Sequence, residues 1–562
     1  MRFQRPAITI SAVALGISLV AADLTPSGYF ESPDQVLTTL ATVQSAIFAI
    51  VFSVVILGVQ LSTSRYSSRL ADLFRSDQYY RVTVGIFGIS IGLSVFTLVF
   101  RNSLNGYLLR FAVVLAAGFA VTSFIILFYF VDSVLDQTTP EGIIQRVDQE
   151  LTPEKIIEQA TLAGENNAEP DPFLIPNSIV RSAVDDMDLA AASLGLSTIS
   201  RRVEELLTTV STDDIEDDSP LGQSIQTLCT KRLPNLTETA AEDEFIEAGS
   251  ESIQTISSIG TAGIREELEV VSNDSLRGIT RLIAELEFDP SSEKLRKESV
   301  DEACNIADTA AESGLWDTAG TGIRYVGFYS ATSIMRRGAS DRNQRAYTNL
   351  SISRIPSLFS ELMENLPDEI ETDAFQNRII RRHGDYTSSS EVWALWCCYA
   401  SMAETTSAYL RYELEHEEPI VDWSMVSSGW SECVSTASES GFDYFTYQWL
   451  GTLFYLEYLS RQGPESFMAN FNPTIQYRIR SEVVENTVDR VRSGSVSVRN
   501  RIDLLPGHID PIETPLTGYS NPPFDDIEEE FERWLDLKKG MSRRFGMGGA
   551  PQKDAENSNT DE

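Results

Sequence analysis

The chain has 562 residues, of which 82 are acidic and 44 basic, and its formal net charge is −38. This acidic excess, with no basic stripe between aromatic side chains, excludes a nucleic-acid-binding protein. The five cysteines do not suit a disulfide framework, and no Gly-rich phosphate loop, nucleophile elbow or metal-spaced Cys/His pair occurs. We therefore predict no cofactor, no metal and no enzyme activity.

The acidic residues are spread across periodic apolar sequence, and only seven of the basic residues are lysine. Self-repulsion at this charge opposes a compact state, but molar salt shortens the Debye length to about 3 Å and screens the repulsion. A disordered acidic tail, the alternative source of such an excess, concentrates its charge in one block. The composition resembles that of halophilic archaeal proteins and predicts that the soluble domain unfolds at low salt.

Four apolar segments occupy the first quarter of the chain: Ala7–Ala22, Leu40–Leu61, Val82–Phe100 and Leu109–Val131. The last three meet the length of about 20 residues that a membrane-crossing helix needs. The first is shorter, follows two arginines and ends in small residues, so it is either a retained helix or a cleaved signal peptide. We expect a multi-pass protein of the cell membrane.

Arginines set the orientation of these segments. Four of them lie between residues 65 and 81, after the second segment, whereas the loop before that segment carries only acidic charges. The positive-inside rule places the arginine-rich loop in the cytoplasm, and the fourth segment then returns the chain to that side. Arg101 and Arg110 oppose the rule but are outnumbered. The C-terminal domain is therefore predicted to be cytoplasmic.

Small and polar side chains share one face of the second segment because they recur at helical spacing: Thr42, Ser45, Ala49, Ser53 and Gln60. This face is either a helix-packing surface or, in an oligomer, the lining of a pore, although no charged ring is present to select ions. Small residues at intervals of three and four predict two further packing seams: Gly85, Gly88 and Gly92 in the third segment, and Ala112, Ala116 and Ala120 in the fourth.

The end of the second segment and the loop after it carry a family resemblance. Phe52-Ser53, Val59-Gln60-Leu61 and the run from Ser64 to Leu70 resemble the core of a haloarchaeal-type family of predicted multi-helix membrane proteins of unknown function. That family usually has a proline where this chain has Ser68. The resemblance covers roughly residues 1–135 and implies a multi-helix membrane domain attached to a soluble domain, without implying an activity.

From Asp132 onward the apolar residues repeat at intervals of three and four, and no run of strict alternation predicts a strand. Thr152-Pro153 and Ser219-Pro220 are helix-start signals. The predicted fold class is all-α. We expect a transmembrane domain at 1–135, a cytoplasmic helical domain at 136–520, and an amphipathic helix with a disordered acidic tail at 521–562.

Internal similarity suggests stacked helical hairpins within the soluble domain. Residues 251–260 parallel residues 298–307, 47 positions later, and residues 309–315 parallel residues 436–442. In the second pair each helix ends at a glycine, which supplies a left-handed cap. Because a period near 47 is typical of two-helix repeats, the domain is either a repeat array or an irregular bundle.

Aromatic side chains crowd residues 393–412 and 444–458. They predict a core, and a docking groove for a partner helix is the alternative. The cysteines are predicted to be buried small hydrophobes.

Near the C-terminus, Asp525–Lys539 predicts an amphipathic helix with Ile527, Phe531, Trp534 and Leu535 inward. The basic residues at its end either dock on the protein or touch anionic lipid: Lys538, Lys539, Arg543 and Arg544.

The dense basic cluster of the soluble domain comprises Arg378, Arg381, Arg382 and His383. Arginine forks suit phosphate or carboxylate, so the cluster is a candidate anion site, with a solvated ion-pair network as the alternative.

The sequence as a whole predicts an integral membrane protein whose helical domain is an interaction or sensory module for a protein partner. The alternative is an oligomeric channel or transport accessory protein lined by the second segment. The expected partners are the lipid bilayer and either another protein or a second copy.

Overall fold

A computed structural model gives the fold. It describes residues 33–65, 78–104, 106–165, 171–216, 219–286, 290–335, 350–367, 390–416, 421–460, 471, 479–493 and 527–545. Within these ranges the chain forms helices and turns without a strand, which confirms the predicted all-α class. Contacts divide the chain into two compact units, the first with residues 1–155 and 172–199 and the second with residues 156–171 and 200–562.

Three long helices in the first unit are long and apolar enough to cross a membrane. They are α1 (Pro33–Arg65), α2 (Gln78–Phe100) and α3 (Gly106–Thr138), and each packs against the other two. Their membrane-capable stretches are Asp34–Val54, Val82–Ser103 and Gly106–Val131, so the last three apolar segments are confirmed as membrane-capable helices. The first segment, Ala7–Ala22, lies outside the described residues.

Apolar side chains hold these three helices together and also cover their outer surface. Phe87 of α2 packs with Leu127 and Phe130 of α3 in one buried cluster. On the outside, side chains such as Val99 and Phe128 are 67% and 73% exposed. An apolar exterior around a packed interior is the pattern of a helix bundle in lipid.

The remaining helices of the first unit follow α3 directly. They are α4 (Pro140–Glu150), α5 (Pro153–Glu165), which crosses into the second unit, α6 (Leu174–Asp185) and the first part of α7 (Leu189–Leu207). The side chain of Thr139 accepts a hydrogen bond from the backbone N–H of Gly142 at 3.1 Å and so caps α4. The domain boundary expected at residue 135 falls inside α3.

The second unit contains a long series of helices. They are α8 (Pro220–Thr227), α9 (Leu233–Glu242), α10 (Ile246–Arg265), α11 (Glu269–Glu285), α12 (Pro290–Glu312), α13 (Trp316–Met335), α14 (Leu350–Glu364), α15 (Ser390–His416), α16 (Trp423–Glu439) and α17 (Asp443–Ser460). The Ser219 side chain caps α8 and Pro220 begins it, as the sequence predicts. A π-helical segment, Leu228–Arg232, joins α8 to α9.

Consecutive helices of this unit pair as hairpins. They are α10 with α11, α12 with α13, α14 with α15 and α16 with α17. The first helices of the hairpins pack on one another in series, and so do the second helices α11, α13 and α15. Two layers built from alternate helices are the arrangement of stacked hairpins, so the packing favours the repeat array over an irregular bundle.

Glycine forms the turn inside two of these hairpins. Gly314, between α12 and α13, has a φ of +81°, and Gly441, between α16 and α17, has a φ of +74°. After Gly314 the backbone N–H of Leu315 donates back to the carbonyl oxygen of Ala310 at 2.7 Å, which closes the end of α12. Both left-handed glycine caps predicted from the sequence are therefore confirmed.

The turn of the preceding hairpin has the same geometry without glycine. Glu267, 47 positions before Gly314, has a φ of +58°. The backbone N–H of Leu268 donates to the carbonyl oxygen of Gly263 at 2.7 Å, as Leu315 does in the next hairpin. A left-handed conformation costs a non-glycine residue roughly 1–2 kcal/mol, so this turn carries strain.

The aromatic side chains of the later hairpins form a core, as predicted. The Trp449 ring lies 5.1 Å from the Trp430 ring and 5.2 Å from the Tyr399 ring, both at steep angles. The hydroxyl of Tyr399 meets Thr452 Oγ1 at 2.7 Å, so its polar end is satisfied inside the core. These three rings are fully buried.

All five cysteines are free and buried. Burial raises the pKa of the Cys229 and Cys304 thiols to about 12 and that of the other three well above the ordinary value. They are small hydrophobes of the interior, as the sequence predicts.

Two helices end the described chain, α18 (Ser481–Arg492) and α19 (Ile527–Phe545). Helix α19 packs on both α17 and α18. It extends to Phe545, six residues beyond the amphipathic helix predicted from the sequence. The predicted acidic tail after it lies outside the described residues.

Candidate functional site

A neutral polar centre lies inside the three membrane helices. Gln44 of α1 is fully buried, and its side-chain Nε2 donates to Ser90 Oγ of α2 at 2.8 Å and to Ser123 Oγ of α3 at 3.2 Å. A single carboxamide therefore links all three helices. Such interhelical hydrogen bonds contribute about 0.6–1.7 kcal/mol in a membrane.

Hydroxyl groups of α2 extend this centre along the inward face of the helix. Ser94 Oγ donates to the Ser90 carbonyl oxygen at 3.0 Å, and Thr97 Oγ1 donates to the Leu93 carbonyl oxygen at 2.8 Å. Each hydroxyl is thereby satisfied within its own helix, as apolar surroundings require. The groups that meet at Gln44 are all uncharged, and their evident role is to fix how the helices pack.

The predicted polar face of α1 lies away from Gln44 around the helix. Thr42, Ser45, Ser53 and Gln60 are all exposed. Ser53 Oγ donates to the Ala49 carbonyl oxygen at 2.7 Å. The structure does not bring these four side chains into the interior formed by α1, α2 and α3, so packing against a second copy or lining a pore stays a prediction.

The two predicted seams of small residues differ. Ala116 and Ala120 of α3 are buried, so the alanine seam contributes to packing. A Cβ added at Gly85, Gly88 or Gly92 of α2 would meet no atom within 4 Å. The glycine seam therefore faces away from the helices that the structure describes.

A buried ion pair joins α13 to α15 in the second unit. Arg324 Nη1 and Nη2 donate to the two carboxylate oxygens of Glu404 at 2.5 and 2.9 Å. Burial by itself lowers the pKa of Arg324, but the charge and hydrogen bonds of Glu404 outweigh it and raise the pKa. Gly327 lets the backbones approach, because a Cβ there would collide with Ser401.

A second polar cluster gathers around the π-helical segment. Arg281 of α11 donates from Nη1 to the Thr230 carbonyl oxygen at 3.1 Å, inside that segment. Gly278 makes this approach possible, because a Cβ there would collide with the Cys229 carbonyl oxygen. Segments of π-helix often mark functional sites.

Two carboxyl groups share this cluster. Burial, with the neighbouring Glu285 carboxylate, raises the pKa of Glu238 to about 7, although Arg281 Nη2 lies 3.8 Å from Glu238 Oε1. Two carboxyl groups this close do not both ionise readily, so the pair holds a proton up to near-neutral pH. The arrangement is a pH-sensitive acidic site at the junction of α9 and α11.

The helices α17 and α18 form a groove that holds α19. Trp534 and Leu535 of α19 are buried in it, and the Phe531 ring lies 5.1 Å from the Tyr455 ring. One turn later Lys538 is only 3% exposed. Its Nζ donates to Glu457 Oε1 at 2.5 Å and lies 4.8 Å from the centre of the Trp534 ring.

Charged groups line the rim of this groove. Lys539 Nζ lies 2.7 Å from Asp489 Oδ1 of α18. Arg492 of α18 reaches back to α19, with Nε 3.0 Å from Glu532 Oε2 and Nη2 2.8 Å from Asp536 Oδ1. The basic residues Lys538 and Lys539 are thus in protein contacts, the first of the two alternatives that the sequence left open.

The candidate anion site lies outside the part of the chain that the structure describes. Arg378, Arg381, Arg382 and His383 lie between residues 368 and 389, outside the described residues. In the ranges that the structure describes, no group of three or more His, Cys, Asp or Glu side chains is arranged to hold a metal ion.

Comparison with known proteins bears on the first unit. A family model described as predicted membrane protein (DUF2254) matches residues 3–181. The match covers α1 to α5 and part of α6, and it extends past residue 135, where the resemblance seen in the sequence ends. No curated protein matches the chain, and no solved structure does. The comparisons therefore support a membrane protein and assign no activity.

Proposed function

We propose that the chain is a membrane-anchored interaction module whose helical array binds a protein partner in the cytoplasm. The observation that carries the proposal is the two-layer stack of hairpins from α10 to α17. Each layer is a series of helices packed on one another, and stacked-hairpin proteins use such extended surfaces to bind their partners. The membrane helices then hold this surface at the bilayer.

The charge pattern supports a cytoplasmic position for the array. The arginine-rich loop between α1 and α2 favours the cytoplasmic side. Arg101, one of two arginines that oppose this orientation, forms an ion pair with Asp34. The rule counts basic residues, and the two arginines on the outer side do not outweigh the four after α1.

The acidic composition supports a salt-rich cytoplasm of the archaeal type as the working environment. Dilution of the purified chain from molar salt to below about 0.1 M lengthens the Debye length to about 10 Å and restores repulsion among the carboxylates. We expect loss of helical circular dichroism in that range. A signal that is unchanged below 0.1 M salt contradicts the proposal of a halophilic protein.

Cross-linking in native membranes tests partner binding. The chain has seven lysines but 82 acidic side chains, so a dihydrazide, used with a coupling reagent that activates carboxyl groups, reaches far more of its surface than an amine-reactive reagent. We expect one heterologous protein to recur in independent preparations, linked to residues of α10 to α17. A recurrent absence of such a protein, or links confined to α1, α2 and α3, rejects the proposal.

A second candidate function is an oligomeric channel or transport accessory protein. The exposed hydroxyl groups of Thr42, Ser45 and Ser53 favour it, because polar groups that face outward at membrane depth suit contact with a second copy or with water. Survival of osmotic downshock in a deletion strain, together with the oligomeric state in mild detergent, tests this candidate. Equal survival and a monomer contradict it.

A further inference from the structure

The contacts of α19 follow one face of the helix. Phe531, Trp534, Leu535 and Lys538 are spaced three and four residues apart and all face α17 and α18. Anchors at this spacing are how an amphipathic helix binds in a groove on another protein. Here the groove and the helix belong to the same chain.

The groove is selective because its floor carries a charge. Glu457 lies beneath the helix and meets Lys538, whose side chain is almost completely buried. An apolar or acidic side chain in place of the lysine leaves this carboxylate in a dry contact without a compensating charge. The floor therefore selects a helix with a lysine three or four residues after its aromatic and aliphatic anchors.

The rim of the groove fixes the direction of the bound helix. Asp489 pairs with Lys539 toward the C-terminal end of α19, and Arg492 pairs with Glu532 and Asp536 further toward its start. A helix that binds in the reverse direction brings like charges together at both places, which is unfavourable.

We propose that α17 and α18 form a recognition groove for a lysine-bearing amphipathic helix, that α19 is its resident ligand, and that a helix of this chemistry from the protein partner enters by displacing α19. The proposal rests on the partner-binding function and specifies its surface. The chain length allows the exchange, because 33 residues separate Ser493 from Ile527 and span up to about 110 Å when extended.

A peptide of residues 527–545, labelled with a fluorophore, tests the groove on the full-length chain. In the Lys538→Glu chain two carboxylates meet in the groove and release α19, so we expect the peptide to bind at least about 30-fold more tightly than to the wild-type chain. A peptide with glutamate at position 538 is expected to bind the Glu457→Lys chain and not the Lys538→Glu chain.

Two controls guard against a general loss of folding. Arg533→Glu makes the same charge change on the exposed side of α19 and is expected to leave peptide binding at the wild-type level. The double variant Glu457→Lys, Lys538→Glu restores the ion pair and is expected to exclude the added peptide again. The proposed groove is contradicted if the wild-type and Lys538→Glu chains bind the peptide equally. It is also contradicted if the Lys538→Glu chain binds no peptide while its helical circular dichroism is intact.

Cross-linking separates this proposal from the broader one. We expect the partner yield to rise with Lys538→Glu and to fall with Glu457→Lys. A partner recovered in undiminished yield with Glu457→Lys refutes the groove and leaves partner binding in place. Failure to recover a partner from any of the chains rejects partner binding. The peptide assay does not depend on a partner, so it still tests the groove in that case.

Discussion

Replacement of Glu404 by glutamine removes the charge that neutralises Arg324 between α13 and α15. Both side chains are largely shielded, with exposed fractions of 15% for Arg324 and 6% for Glu404. The glutamine keeps the volume and one acceptor oxygen, so the substitution isolates the charge from the packing. The guanidinium then remains in a dry contact with no carboxylate opposite.

The geometry gives the size of the effect. Two unit charges about 3 Å apart interact by roughly 5 kcal/mol at an effective dielectric constant of 20. Removal of one partner from a buried pair costs about 3–5 kcal/mol in free energy of unfolding. A unit of this size then loses about 4–6 °C in Tm.

Intrinsic tryptophan fluorescence measures this loss selectively. All seven tryptophans lie at or after Trp316, in the second unit, so the signal reports only on that unit. The matched control is Glu205→Gln, which removes a carboxylate paired with Arg201 and Arg202 at an exposed position and costs less than about 1 kcal/mol. If Glu404→Gln lowers the Tm no more than Glu205→Gln, the buried pair does not have the role inferred for it.

The turns and the acidic cluster give two further predictions. Glu267→Gly removes the strain of a left-handed φ and is expected to stabilise the array by about 1 kcal/mol. Gly314→Ala at the matching turn is expected to destabilise it by about 1–2 kcal/mol. If the two substitutions shift the Tm in the same direction, the two turns do not share this geometry. Glu238 has a pKa of about 7 in the folded chain against an ordinary 4.5, so its contribution to stability is present below pH 4.5 and lost as the pH rises through 7. Glu238→Gln is therefore expected to raise stability above pH 7 by about 1–2 kcal/mol, after allowance for solvent screening, and to change it little at pH 4. If the Tm of the Glu238→Gln chain depends on pH as that of the wild-type chain does, Glu238 and Glu285 do not share a proton.

Features that depend on neighbouring residues could be predicted from the sequence. The membrane-capable helices follow from long apolar runs, the start of α8 from Ser219 and Pro220, and two hairpin turns from Gly314 and Gly441. Each of these signals lies within one helix or at its end. The turn at Glu267 has no such signal, because a glutamate does not indicate a positive φ.

Features that depend on distant residues could not be predicted. Periodicity groups Thr42, Ser45 and Ser53 on one face of α1 but does not say which face meets the other helices, and Gln44 is on the face that does. Glutamine inside an apolar helix was the available signal. Arg324 and Glu404 lie 80 positions apart, and among 82 acidic residues no pattern distinguishes this one.

The burial of the five thiols has a consequence for the chemistry of the chain. With a pKa of about 12, Cys229 and Cys304 hold only about one thiolate in 10⁵ at neutral pH, and the thiolate is the form that oxidants and alkylating agents attack. The other three thiols are raised well above their ordinary pKa and are equally enclosed. Attack by oxidants and alkylating agents on these thiols is therefore expected to be slow for as long as the array stays folded.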